Sequence, residues 1–126
     1  MVLVVDGDPA CAEALGDALR AEGHQVEIAC DEAGAIACLS STRPDVVLID
    51  TYLGAVDGLE LVSRLRRSEL ASTPILLTTA LPLAEVRRGE AADMVAAILA
   101  KPFQLETVLE LVRACHDERG SISPKG

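Results

Sequence analysis

The chain has no tryptophan, one tyrosine and one phenylalanine among its 126 residues. Surfaces that stack bases are built on aromatic rings, so recognition of that kind is not expected here. Positive charge is also scarce: eleven Lys plus Arg against twenty Asp plus Glu leave a formal net charge of -9. A field of that sign repels phosphate backbones and anionic lipid, which argues against direct nucleic-acid or membrane partners. The basic clusters that do occur, Arg64 with Arg66 and Arg67, and Arg87 with Arg88, are short and read as solvated helix faces. No apolar run approaches the roughly 20 residues needed to span a bilayer, and Asp6 interrupts the N-terminal run where a secretory signal needs its apolar centre. The four cysteines, Cys11, Cys30, Cys38 and Cys115, have no C-x-x-C spacing and lie within apolar stretches. They are expected to be reduced, buried and structural, in a cytoplasmic protein.

What is present is ample material for one core: half the residues are apolar and a quarter charged, in a chain of single-domain length. Five short apolar runs rich in β-branched residues, Val2 to Val5, Gln25 to Ala29, Asp45 to Ile49, Pro74 to Thr78 and Met94 to Leu99, predict five strands. The segments between them carry apolar residues at helical spacing, for example Cys11, Ala14, Leu15, Ala18 and Leu19. The first, third and fourth runs are apolar on both faces, as strands covered by helices on both sides must be. The expected fold is therefore a doubly wound α/β domain around a parallel sheet. Asp8-Pro9 is expected to open the first helix, Gly23 to end it, Asp31 to cap the second, and Pro44 to part that helix from the third strand. The domain is expected to span residues 1–118, with 119–126 a loose tail.

In such sheets ligands bind beyond the carboxyl ends of the strands. Asp6-Gly7-Asp8, Asp50-Thr51, Thr79-Ala80 and Lys101-Pro102 follow the first, third, fourth and fifth runs, so three carboxylates, a hydroxyl and an ammonium are expected at one rim. Asp8 reads better as a helix cap than as a ligand. Asp50 lacks that explanation, because no helix follows it at once, and it would lie beside Asp6 on the neighbouring strand. Crowded carboxylates favour a raised pKa or a bound divalent cation. Thr79 and Lys101 could then donate to a phosphoryl group carried by an Asp side chain.

The segments VLVVDGDP at 2–9, PDVVLID at 44–50, LGAVDG at 53–58, PILLTTA at 74–80 and AKPF at 100–103, in this order and spacing, make the chain resemble a receiver domain of two-component response regulators over essentially its whole length. The resemblance implies a flavodoxin-like five-stranded sheet of order 2-1-3-4-5. It implies a phosphoryl group accepted on Asp50 from a histidine kinase or phosphotransfer protein. Thr79 would be the switch hydroxyl, and Lys101, before a cis Pro102, the pairing lysine. Asp6, Asp50 and the Tyr52 backbone carbonyl would hold magnesium. Output would pass to a protein or domain through the fourth helix, fifth strand and fifth helix, in a signalling domain that is not an enzyme.

Three positions depart from the family pattern. Gly7 stands where a second acidic residue is usual, so magnesium binding is expected to be weak, and Gly7→Asp to tighten it. Gly54 replaces a proline, loosening the loop after Asp50. Ile98 replaces an aromatic residue, so a response must travel from Thr79 into the fourth helix, a weakly specified stretch from Leu83 to Ala92. The alternative is a degenerate receiver serving as a phosphorylation-independent binding module. A third reading, a small phosphohydrolase resembling the haloacid-dehalogenase type with Asp6 and Asp8 at its centre, leaves Asp50 without a role and lacks an acidic pair after Lys101.

Overall fold

The computed structural model describes residues 1–54 and 56–122. Strands β1 (Val2–Val5), β2 (Val26–Ala29), β3 (Val46–Asp50), β6 (Ile75–Thr79) and β7 (Ala97–Ala100) form one parallel sheet in the order β2-β1-β3-β6-β7. Two short strands, β4 (Tyr52–Leu53) and β5 (Val56–Asp57), pair antiparallel as a hairpin after β3. Setting that hairpin aside, the order is the expected 2-1-3-4-5.

The alternation along each strand divides the core in two. Val2, Val4, Val46, Leu48 and Leu76 face α1 (Pro9–Ala21) and α5 (Leu105–Ile122), meeting Leu15, Leu19, Val108 and Val112. Leu3, Val5, Val47, Ile49, Ile75 and Leu77 face the other way, where α2 (Glu32–Leu39) and α3 (Gly58–Arg66) supply Ala35, Leu61, Val62 and Leu65. Each fully buried Leu, Ile or Val contributes roughly 1.5–3 kcal/mol relative to exposure, so both helical layers are needed to cover strands that have no wet face.

Helix starts follow from short polar side chains. Asp8, Asp31 and Asp57 accept from the amides of Ala10, Gly34 and Leu59 at the first turns of α1, α2 and α3. α4 (Leu83–Arg88) has no side-chain cap and gives way at Gly89 to a 3-10 turn, Glu90–Met94. Met94 therefore belongs to that turn and not to the fifth strand, which begins at Ala97. The run from 94 to 99 is apolar, but the pairing of Leu76 with Ala97 decides where the strand starts.

Two further expectations, on Cys30 and Arg66, are corrected. α5 runs to Ile122; residues 123–126 lie outside the described residues. Cys30 is exposed at the end of β2, whereas Cys115 is buried and Cys11 and Cys38 are half-buried, all as free thiols. Arg66 is not a solvated face residue. Its guanidinium donates to the carbonyls of Leu70, Ala71 and Thr73 at 2.7–3.1 Å and of Met94 at 2.6 Å, so it organises the turn after α3 and ties it to the segment before β7. Arginine supplies five fixed donors, and a carbonyl-rich turn uses them as a counter-structure.

Candidate functional site

The carboxyl ends of β1, β3 and β6 and the start of the loop after β7 place Asp6, Asp50, Thr79 and Lys101 at one rim. Asp6 and Asp50 are 1% and 4% exposed. The Lys101 ammonium lies between them, 3.0 Å from Asp6 Oδ2 and 2.5 Å from Asp50 Oδ2. The remaining oxygens are also held: Asp6 Oδ1 accepts from the Asp8 amide at 2.9 Å, and Asp50 Oδ1 from the Tyr52 amide at 3.2 Å. The Lys101-Pro102 peptide is cis, as expected.

Burial is the largest influence on every charged group here. It pushes Asp6 up, but hydrogen bonds from the Asp8 amide, the Cys11 thiol and Lys101 outweigh it and leave this carboxyl below its usual value. Burial also pushes Asp50 up, and with the Asp6 charge beside it, Lys101 and the Tyr52 amide do not fully compensate; Asp50 stays above the usual range. Lys101 is depressed by burial, yet its two carboxylate partners raise it above the ordinary lysine value, so it remains charged at neutral pH. Burial and the Asp6 carboxylate push the Cys11 thiol up to about 11, which keeps it protonated as a donor. Cys11 was not foreseen in the site. The available signal was its place in the first turn of the helix that Asp8 opens, which turns it back toward Asp6.

Asp8 caps α1, the role preferred for it from the sequence, so two carboxylates remain at the rim. Thr79 is fully buried, and its hydroxyl accepts from the Leu81 amide at 2.9 Å and shares a 2.9 Å hydrogen bond with Thr51 Oγ1. Among the described residues, those are the hydroxyl's hydrogen bonds; it meets neither the Asp50 carboxylate nor the Lys101 ammonium, although the Thr79 carbonyl accepts from the Lys101 amide at 2.7 Å.

The loop after β3 is seated on Gly7. The Gly7 amide donates to the Tyr52 carbonyl at 3.3 Å, and a Cβ at position 7 would lie 2.8 Å from that oxygen and 3.2 Å from Leu53 Cα. Gly54, at φ +75°, makes the turn that brings the hairpin there. The missing carboxylate at position 7 and the closeness of the loop are therefore one feature, because both require that no side chain be present.

Among the described residues no group of three or more His, Cys, Asp or Glu is placed to hold a metal. Asp6 and Asp50 nevertheless aim one oxygen each at a single cation, the Lys101 ammonium. That donor set fits a magnesium ion sparsely, since magnesium commonly takes one or two carboxylates and keeps much of its water. The loop geometry opposes the expectation that Gly7→Asp tightens magnesium, because a Cβ at position 7 would lie 2.8 Å from the Tyr52 carbonyl oxygen. Magnesium titration followed by NMR is expected to find the variant no tighter than the native chain, with faster amide exchange at Tyr52 to Gly54; a clear gain in affinity would contradict the packing argument.

Removing Lys101 tests the charge balance. Lys101→Met leaves two buried carboxylates without a cation, expected to cost about 3 kcal/mol at neutral pH. Both carboxyls are then raised in the folded state above their unfolded values, so the folded chain binds more protons. Its deficit shrinks as pH falls through the raised folded values toward the ordinary carboxylate range. Denaturant unfolding of both chains at pH 7 and pH 5 is expected to give the smaller difference at pH 5, and a pH-independent difference would refute it.

A parallel α/β sheet with a buried carboxylate pair and a lysine at its carboxyl rim defines a flavodoxin-like domain. The chain belongs to the response regulator receiver domain family, whose profile matches residues 2–113. It is 40% identical over 113 residues to the probable transcriptional regulatory protein TcrX of Mycobacterium tuberculosis, covering 90% of this chain and 48% of that protein. The chain spans about half the length of the curated relatives it matches. The chemotaxis protein CheY4 of Vibrio cholerae is 30% identical with a TM-score of 0.82, covering 90% of this chain and 96% of the other. TrrA of Thermotoga maritima, solved in complex with Mg(2+)-BeF, is 25% identical with a TM-score of 0.80 over 90% of this chain and 96% of that one.

The chain is thus a receiver domain of two-component response regulators, homologous to TcrX and similar to CheY-like proteins.

Proposed function

We propose that Asp50 accepts a phosphoryl group from the phosphohistidine of a kinase or phosphotransfer protein, and that the domain relays the change to an output protein or domain. The observation that carries this reading is Asp50 itself, a buried carboxylate at the end of the central strand with one oxygen on the Lys101 ammonium and a raised pKa. A raised pKa makes its carboxylate more basic and the better nucleophile of the two acids. In the transfer a carboxylate oxygen bonds to phosphorus while the phosphorus–nitrogen bond breaks, and that bond's electron pair leaves with the imidazole. The product is an acyl phosphate on Asp50. Lys101 offsets the added negative charge through a charge-assisted hydrogen bond. Asp6, Asp50 and the Tyr52 carbonyl would hold a magnesium ion, whose chemistry is to neutralise phosphoryl oxygens.

The relay runs through Thr79. When its hydroxyl donates to a phosphoryl oxygen, the Leu81 amide loses its acceptor at the entrance to the uncapped α4. Ile98, half-buried and packed on the α2/α3 core, contributes no aromatic flip. The output surface is accordingly α4, β7 and α5. In this reading the chain is not an enzyme, since Asp50 is modified and does not turn over a substrate. Its setting is the cytoplasm; among the described residues no helix is long and apolar enough to cross a membrane.

The test is incubation with acetyl phosphate and magnesium, followed by intact mass measurement. A gain of one phosphoryl group, released by hydroxylamine, is expected. No gain would favour the phosphorylation-independent binding module, which the seating of the loop on Gly7 also suits.

A further inference from the structure

The hydroxyl that the relay depends on is already engaged. Thr79 Oγ1 accepts from the Leu81 amide and is bonded to Thr51 Oγ1, each at 2.9 Å, in a site where Thr79 is fully buried and Thr51 is 7% exposed. Whichever hydroxyl donates in that pair, turning Thr79 Oγ1 toward Asp50 breaks its bond to Thr51. Thr51 is itself fixed: its amide donates to the Thr78 carbonyl and its carbonyl accepts from the Gly58 amide, both at 2.9 Å. Its hydroxyl is thus mounted on backbone tied to β6 on one side and to the start of α3 on the other. A threonine directly after Asp50 is not needed for packing, since valine has the same shape; what the hydroxyl adds is the bond to Thr79.

We infer that Thr51 is a positioning residue that restrains the Thr79 hydroxyl in the unmodified protein, so that Thr79 reaches a phosphoryl group on Asp50 only by giving up Thr51. The restraint sets the threshold of the switch. This rests on the reading of Asp50 as acceptor, but the restraint has a signature of its own in the unmodified chain.

Three variants test it. Thr51→Val keeps the branched shape and removes the hydroxyl, Thr51→Ser keeps the hydroxyl, and Thr79→Val removes the partner. In the free protein, Thr51→Val is expected to speed amide exchange at Leu81 several-fold, as Thr79 leaves its held rotamer, while exchange in β1 and β3 stays native. With beryllium trifluoride and magnesium as phosphoryl mimic, read by NMR at Thr79, Thr51→Val is expected to bind about fivefold tighter, roughly the worth of one neutral hydrogen bond. Thr51→Ser should behave as native, and the gain from Thr51→Val should vanish in the Thr79→Val background. Unchanged Leu81 exchange, unchanged or weaker mimic binding, or an equal gain without the Thr79 hydroxyl would overturn the restraint. If the mimic fails to bind the native chain at all, the acceptor reading of Asp50 fails, and Leu81 exchange alone then decides whether Thr51 holds Thr79.

Discussion

Asp50→Asn is expected to abolish phosphoryl incorporation from acetyl phosphate altogether. The amide keeps the size of the side chain and an oxygen for the Tyr52 amide, but it has no carboxylate to attack phosphorus. Asp6 is not a substitute: its lowered pKa marks a carboxylate that its donors stabilise more than Asp50 is stabilised by its own. The variant should remain folded, because one negative charge is lost beside a lysine that still pairs with Asp6. Intact mass measurement after acetyl phosphate treatment, with circular dichroism to verify folding, gives the answer. A phosphoryl group on a folded Asp50→Asn chain would move the acceptor elsewhere.

The largest expected structural effect is at Gly58. A Cβ there would sit 1.9 Å from the Asp50 carbonyl oxygen and 2.9 Å from its carbon, with Thr51 Cα at 3.1 Å. These are backbone atoms of the central strand, unable to turn aside as a side chain end would. Gly58→Ala must therefore lift the start of α3 off β3, breaking the Gly58 to Thr51 hydrogen bond and loosening Leu61 and Val62 in the core. A cost above about 3 kcal/mol is expected, or failure to fold. Gly54→Ala is the comparison: among the described residues outside its chain neighbours nothing lies within 4 Å of its added Cβ, and the φ of +75° opposes it, so about 1 kcal/mol is expected. Thermal unfolding of the two variants should rank them in that order. Equal losses would mean that contact with the strand is not what position 58 guards.

Much of this was legible in the sequence because it is local. A run such as Val46 to Ile49, apolar at every position, is a strand buried on both faces in any context, and an Asp at its end falls at the sheet's carboxyl rim. Asp8 and Asp31 cap helices by reaching two or three residues along the chain, so short-range spacing is sufficient to place them. The grouping of Asp6, Asp50 and Lys101 followed from their places after the strand runs, and the strand order from the resemblance of the ordered motifs. What tertiary structure alone decided are contacts between segments far apart in the chain, where no periodicity exists to be read. The partner of Thr79 is a residue 28 positions earlier, chosen by the register between β3 and β6. Arg66 looked like a surface charge because its four carbonyls come from a turn and from Met94, beyond any helical pattern. Gly7 read as a missing ligand; only the approach of the Tyr52 carbonyl revealed that the same absence makes room for the loop.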